Sequence, residues 1–296
     1  MELSWLMKLR IAAVAAVGVV LVGIVAWPWD NPPDPYGSIL VMSIGLDGAV
    51  TLTIMAFLAG LFAYFIAWPY GKEIGVLAVP FGLSVWAVRA GNVRYLMQMY
   101  PTVVQRQQLL SMFQWESFFG LAVVVAGFAG VVLGERIRPA HKRQAEGNSK
   151  SGKYLNPIMA IIVSFTVVHF SIKILAKDVT LSDNIAGLVV SQPVIGQIIF
   201  AVVVSFGLAA FVVKKLFNVN YYWPIAASIL VTAFSTTTYA KGQLLQHIVE
   251  LWPGSFFPDV IISVLPVQMV AFGALGSVAG YWLAVRYRFS KQSERK

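Results

Sequence analysis

Residues 117–134 read SFFGLAVVVAGFAGVVLG, and residues 135–138 close the run with ERIR. Eighteen residues without a charge make a helix about 27 Å long at 1.5 Å per residue, close to the ~30 Å hydrocarbon thickness of a bilayer. A basic flank at the end of such a run is the mark of a headgroup boundary. The reading is a membrane-spanning helix.

The same test applied outward finds seven more charge-free windows. They cover residues 11–29, 48–71, 74–88, 154–172, 184–213, 216–240 and 260–285. Window 74–88 has 15 residues and is short for a span, so its helix is expected to continue past Arg89. Trp27, Trp68, Tyr70, Tyr100, Trp115, Tyr222, Trp223 and Trp252 sit near window ends, as aromatic belts do. Window 11–29 follows Lys8 and Arg10 as a secretory signal would, but Ala26-Trp27-Pro28-Trp29 is bulky where cleavage needs small residues. It is expected as a retained first span.

Composition agrees. Of 296 residues 58% are hydrophobic and 12% charged, with mean hydropathy +0.74. A soluble domain carries about a quarter charged residues. The expected fold is all-α: a polytopic transmembrane bundle of about eight spans, with no soluble domain.

Basic residues set the orientation. Residues 135–154 carry six Lys/Arg against two acids, and the tail adds Arg286, Arg288, Lys291, Arg295 and Lys296. With Lys8, Arg10, Lys72, Lys214 and Lys215 these make 16 of the 22 basic residues. An up-down path puts all of them on one face, and Asp30, Asp34, Asp178, Asp183, Glu250 and Asp259 on the other. Both termini are therefore expected in the cytoplasm, in a bacterial-type inner or plasma membrane, with the basic face toward anionic lipid. The charge of +9 has this cause; no nucleic-acid motif accompanies it.

The two halves resemble each other. Gly127, Gly130 and Gly134 repeat as Gly273, Gly276 and Gly280 at an offset of 146. Ser43, Gly45 and Gly48 repeat as Ser191, Pro193 and Gly196 at an offset of 148. Two tandem four-helix repeats follow, at 1–137 and 155–285, joined by a basic linker 138–154 and followed by the tail 286–296. An even helix number gives both copies the same orientation. The small-residue motifs are read as helix-packing faces, where an absent Cβ lets backbones approach. Residues 102–116 have no counterpart of equal length and read as an amphipathic helix lying on the outer interface.

Asp47, Arg89, Arg94, Glu116, Gln197 and Lys241 cluster near the outer ends of the windows. Such side chains, Lys173 among them, either mark the headgroup boundary and snorkel outward or, with the nearby Gln192, Thr236, Thr237, Thr238 and Tyr239, line a polar vestibule in which Asp47 or Glu116 pairs with Arg89 or Arg94. The breaks at Gly45-Leu-Asp47-Gly48 and Pro193-Val-Ile-Gly196 fall at matching places, as they do around transporter sites, although Gly and Pro also simply end helices. His169, alone within a window, reads as a hydrogen-bonded packing residue, because one histidine lacks a metal's ligand count.

Several chemistries are excluded. Absence of cysteine removes disulfides, thiolates and cysteine-ligated metals. Asp47 has no second membrane aspartate, and no nucleophile, Walker, H-E-x-x-H or dinucleotide motif occurs. No enzyme activity and no cofactor are expected. Two functions remain: a transporter or permease for a small polar solute, or a non-catalytic scaffold docked to a membrane protein partner or to a second copy. The orientation is checked by C-terminal reporter fusion: a cytoplasm-active reporter is expected to work, and a reporter active only outside is expected to stay silent.

Overall fold

The computed structural model describes residues 4–27, 44–139, 155–252 and 254–293. It is mostly helical, because a backbone in hydrocarbon must satisfy its own N–H and C=O groups. Helix α1 (Trp5–Gly18) runs into a π-helical stretch over Val19–Val25 and is followed by α2 (Gly45–Ile66). Short α3 (Gly71–Ile74), a 3-10 turn over Gly75–Leu77 and α4 (Ala78–Arg89) form one span. Then come α5 (Val93–Met99), α6 (Val103–Ile137), α7 (Leu155–Leu175), α8 (Ile195–Phe217), α9 (Tyr222–Tyr239), α10 (Gly242–Leu251) and α11 (Pro266–Ser293). Strands β1 (Thr180–Asp183), β2 (Gly187–Ser191) and β3 (Phe256–Phe257) make a small antiparallel sheet in that order.

Among the described residues seven helices are long and apolar enough to cross a membrane, and the chain is a multi-pass integral membrane protein. The eighth window, 216–240, holds α9, and six of its 18 residues are Ser or Thr. That composition keeps it out of the seven. The short window gains its length before residue 78, not after Arg89, where Gly91 takes a left-handed φ of 72° and the chain turns into α5. The long window 184–213 divides: its first residues belong to the hairpin β1–β2, and α8 starts only at Ile195. The strands also amend the all-α reading. Residues 102–116 are not an interfacial helix; they open the 35-residue α6, with Arg106, Leu109, Leu110 and Phe113 buried. Gly45 and Pro193 lie at the starts of α2 and α8, so these breaks do not interrupt those helices. Linker residues 140–154 and tail residues 294–296 lie outside the described residues, as do Asp30 and Asp34.

Neighbouring helices meet in parallel pairs. A methyl group on Gly130 would collide with the carbonyl oxygen of Phe57, and one on Gly60 with that of Gly127, so α2 and α6 touch backbone to backbone. Helices α8 and α11 meet alike: Gly276 faces the carbonyl of Val203, and Gly280 that of Gly207. Gly127 also abuts Val79, Gly134 the Tyr64 ring and Gly273 the Phe206 ring. Gly18 of α1 lies against the Ala78 carbonyl, and Trp86 Nε1 donates to the Val22 carbonyl at 2.7 Å.

Antiparallel contacts join the halves. On one side Gln268 Nε2 donates to the carbonyls of Ala87 and Gly91, at 3.1 and 3.0 Å, tying α11 to α4. On the other, Gln114 Nε2 reaches the hydroxyls of Thr236 and Thr237 at 3.0 Å each, tying α6 to α9. In the apolar windows of the spans, 72% of Pro266–Arg288 and 67% of Gly71–Arg89 is buried, against 22% of Trp5–Val25 and 28% of Leu155–Leu175. The first two are interior, and the last two lie at the periphery of the bundle.

One end of the bundle is basic. Lys72 pairs with Glu135 at 3.0 Å, Arg138 lies 4.1 Å over Trp68, and Arg288 donates to Asn218 Oδ1 at 2.9 Å. The other end carries the sheet, α5 and α10.

Overpacking a close contact costs about 1–3 kcal/mol. Gly130→Leu and Gly276→Leu are each expected to lower the thermal midpoint in detergent by several degrees. Gly196→Ala, with nothing within 4 Å of its Cβ position, is expected to leave it unchanged.

Candidate functional site

Helix α9 places hydroxyls at helical spacing along one face: Ser228, Thr232, Ser235, Thr236 and, at its end, Tyr239. Spacings of three and four residues bring side chains to the same side of a helix. The first four are 0–5% exposed. Three are satisfied locally, as hydroxyls in helices often are. Ser228 donates to the Ile225 carbonyl at 2.7 Å, Thr232 to that of Ser228 at 3.1 Å, and Thr236 to that of Thr232 at 2.8 Å. Ser235 Oγ is buried and makes no hydrogen bond.

Helix α7 packs against both α8 and α9 and carries two more such atoms, Ser164 Oγ and His169 Nδ1. The His169 ring is boxed by Phe165 at 5.6 Å, Phe170 at 5.8 Å and Phe234 at 5.4 Å. It is a packing residue without the hydrogen bond at Nδ1 that its burial led us to expect. An unpaired buried polar atom costs about 1–3 kcal/mol. Such atoms also occur on α8 and α11, at Ser205 and Ser277, so what distinguishes those on α7 and α9, the helices of this seam, is the charged cluster at their end.

Toward the sheet end the seam meets a charged cluster. Asp259 is 5% exposed, and Lys173 Nζ lies 2.5 Å from its Oδ2. Tyr239 donates its hydroxyl to the same oxygen at 2.9 Å, and the Ile261 amide donates to Oδ1 at 2.9 Å. Removing one partner of a buried pair strands the other. Here the carboxylate is the enclosed member, since the lysine is about a third exposed.

A second cluster locks the hairpin. Asp183, at the end of β1, accepts from the amides of Ile185 and Ala186 at 2.9 and 2.6 Å. Both its oxygens lie 2.9 Å from His247 Nε2 on α10, and Trp252 Nε1 donates at 2.7 Å. The Ala186 amide, then His247, Trp252 and Ile185, hold its carboxyl far below the usual range, against the opposing effect of desolvation.

The six vestibule residues are dispersed. Asp47 is exposed in the first turn of α2. Arg89 lies 4.4 Å over the Trp27 ring, and Arg94 gives its backbone amide to Gln192 Oε1 at 3.2 Å. Lys241 is exposed at the start of α10. Among the described residues no ion pair joins Asp47 to Arg89 or Arg94. Glu116 is 1% exposed on α6, and Gln197 caps the carbonyls of Leu175 and Lys177 beside the Lys173 cluster. The sequence points to Lys173 and Tyr239 near the outer ends but not to Ser235, nor to Asp259 as their partner. The hydroxyl spacing over 228–239 was the available signal, whereas Asp183–His247 and Lys173–Asp259 leave no local trace.

A depressed carboxyl pKa stabilises fully above the ordinary carboxylate value and loses that effect only as pH falls through the lowered value. Protection factors of the β1–β2 amides are therefore expected to hold from neutral pH to below ~4. Asp183→Asn is expected to cut them roughly tenfold at neutral pH, with little further change on acidification. The chain matches no protein-family model, no curated protein and no solved structure.

Proposed function

We propose that the chain is a transporter or permease for a small polar solute, with its path along the hydroxyl face of α9. The observation that carries this reading is the set of buried, unpaired polar atoms on α7 and α9, at Ser164, His169 and Ser235, with the Lys173–Asp259–Tyr239 cluster at the sheet end of the same two helices. Ionisable groups inside a membrane bundle are costly and mark solute or ion pathways. Helix α9 is then the eighth span, its polar face tolerated because protein surrounds it. Glu116 and Gln197 belong to the walls of this path, and Asp47, Arg89, Arg94 and Lys241 to its rim.

The path follows α9 of the second of two tandem units, against α6 of the first. Supporting the duplication, Gly130 meets Phe57 as Gly276 meets Val203, each pair offset by 146. The cross-contacts α11–α4 and α6–α9 exchange roles under the same relation. The basic end faces the cytoplasm in this reading, and the seam opens to the outside.

A second reading is favoured by a different feature. A cleft of about 440 Å³ between α1 and α2 is lined only by apolar side chains, among them Val17, Leu21, Phe62 and Phe65. A membrane scaffold would use such a face to receive a partner helix.

Proteoliposome swelling separates the two. With glycerol, urea and glycine as solutes, at least one is expected to enter faster than into protein-free vesicles. Ser235→Leu, which fills the seam, is expected to reduce that rate at least tenfold without lowering protein incorporation. No acceleration with any of them counts against transport and returns the scaffold reading.

A further inference from the structure

Beneath the sheet end, beyond the end of α9, lies a small, partly enclosed cavity of about 20 Å³. Arg106 and Tyr239 line it together with Leu110, Ile248, Phe257 and Ile262. Space of this size holds one water-sized particle.

Arg106 is the unusual wall. It is 6% exposed, and its Nε donates to the Tyr100 carbonyl at 3.2 Å. Its Nη2 lies 3.8 Å from where a Cβ on Gly254 would stand. Among the described residues Arg106 enters no ion pair. The acid next to the cavity, Asp259, is held by Lys173 and reaches Tyr239 by a hydrogen bond. Arg106 also sits in the first turn of α6, whose N-terminus adds positive potential. A guanidinium stays charged in any protein setting, and burying it without a counter-charge is strongly unfavourable. Water would solvate that charge, whereas an anion neutralises it.

We propose that this cavity binds one small inorganic anion of halide size, held by the Arg106 guanidinium, and that the anion fastens α10 and the 256–258 segment over the end of α6. Room for about one water-sized particle suits a monatomic anion better than a carboxylate or phosphate group.

The test is thermal unfolding of the full chain in detergent, in sodium chloride and in sodium gluconate at equal ionic strength. Chloride is expected to raise the midpoint saturably, by roughly 5 °C, and Arg106→Gln to abolish the difference. Should that variant not fold, Ile248→Phe fills the cavity while leaving Arg106 in place and is expected to abolish it as well. Equal wild-type midpoints in the two salts overturn the site, and so does a chloride effect that survives in a folded variant. Crystals grown in bromide decide independently: an anomalous peak beside Arg106 supports the site, and its absence there refutes it.

Discussion

Backbone contact between helices is the constraint on which the rest of this structure hangs. Where α2 meets α6 and α8 meets α11, glycine hydrogens face carbonyl oxygens, and no side chain separates the axes. Lipid is as apolar as leucine, so helices gain little by hiding apolar side chains from it; close van der Waals approach supplies the association instead. With these two pairs fixed, α4 and α11 occupy the interior, and the first helix of each half is left facing lipid.

That arrangement gives α9 its setting. Six Ser and Thr residues in 18 would be poorly placed against hydrocarbon. Packed between α6, α7 and α11, four of them are buried, and Thr236 and Thr237 meet Gln114 while Ser228, Thr232 and Thr236 return to carbonyls of their own helix. Satisfaction is incomplete at Ser164, His169 and Ser235, and this incompleteness draws attention to the seam. Fully paired, the same residues would read as structural glue.

The sheet end is organised by carboxylates. Asp183 gathers a hairpin, a histidine from α10 and a tryptophan; Asp259 gathers a 3-10 turn, the end of α9 and a lysine from α7. Each binds segments distant in the chain, and each is shielded by the elements it holds. The basic end is built differently, from exposed or partly exposed pairs such as Lys72–Glu135. Contacts of that kind contribute little to stability individually and suit a face presented to charged headgroups.

Membrane character and most span positions were legible in the sequence, because transfer into hydrocarbon is a sum over residues and needs no knowledge of neighbours. The run 117–134 already had the length and flank of a span. Boundaries were less legible. A charge-free window cannot tell a hairpin at 184–191 from helix, nor an interfacial helix at 102–116 from the first turns of α6. Charge counting stops at Glu116, which the folded bundle buries. The functional constellation was the least legible part. Asp183 and His247 stand 64 residues apart, and Arg89 turned out to cover Trp27 and not to meet Asp47. Composition by itself determined that the chain lives in a bilayer, since that depends on local transfer energies. Only the tertiary structure decided which polar groups meet, since pairing depends on helix rotation and depth set by packing between distant segments.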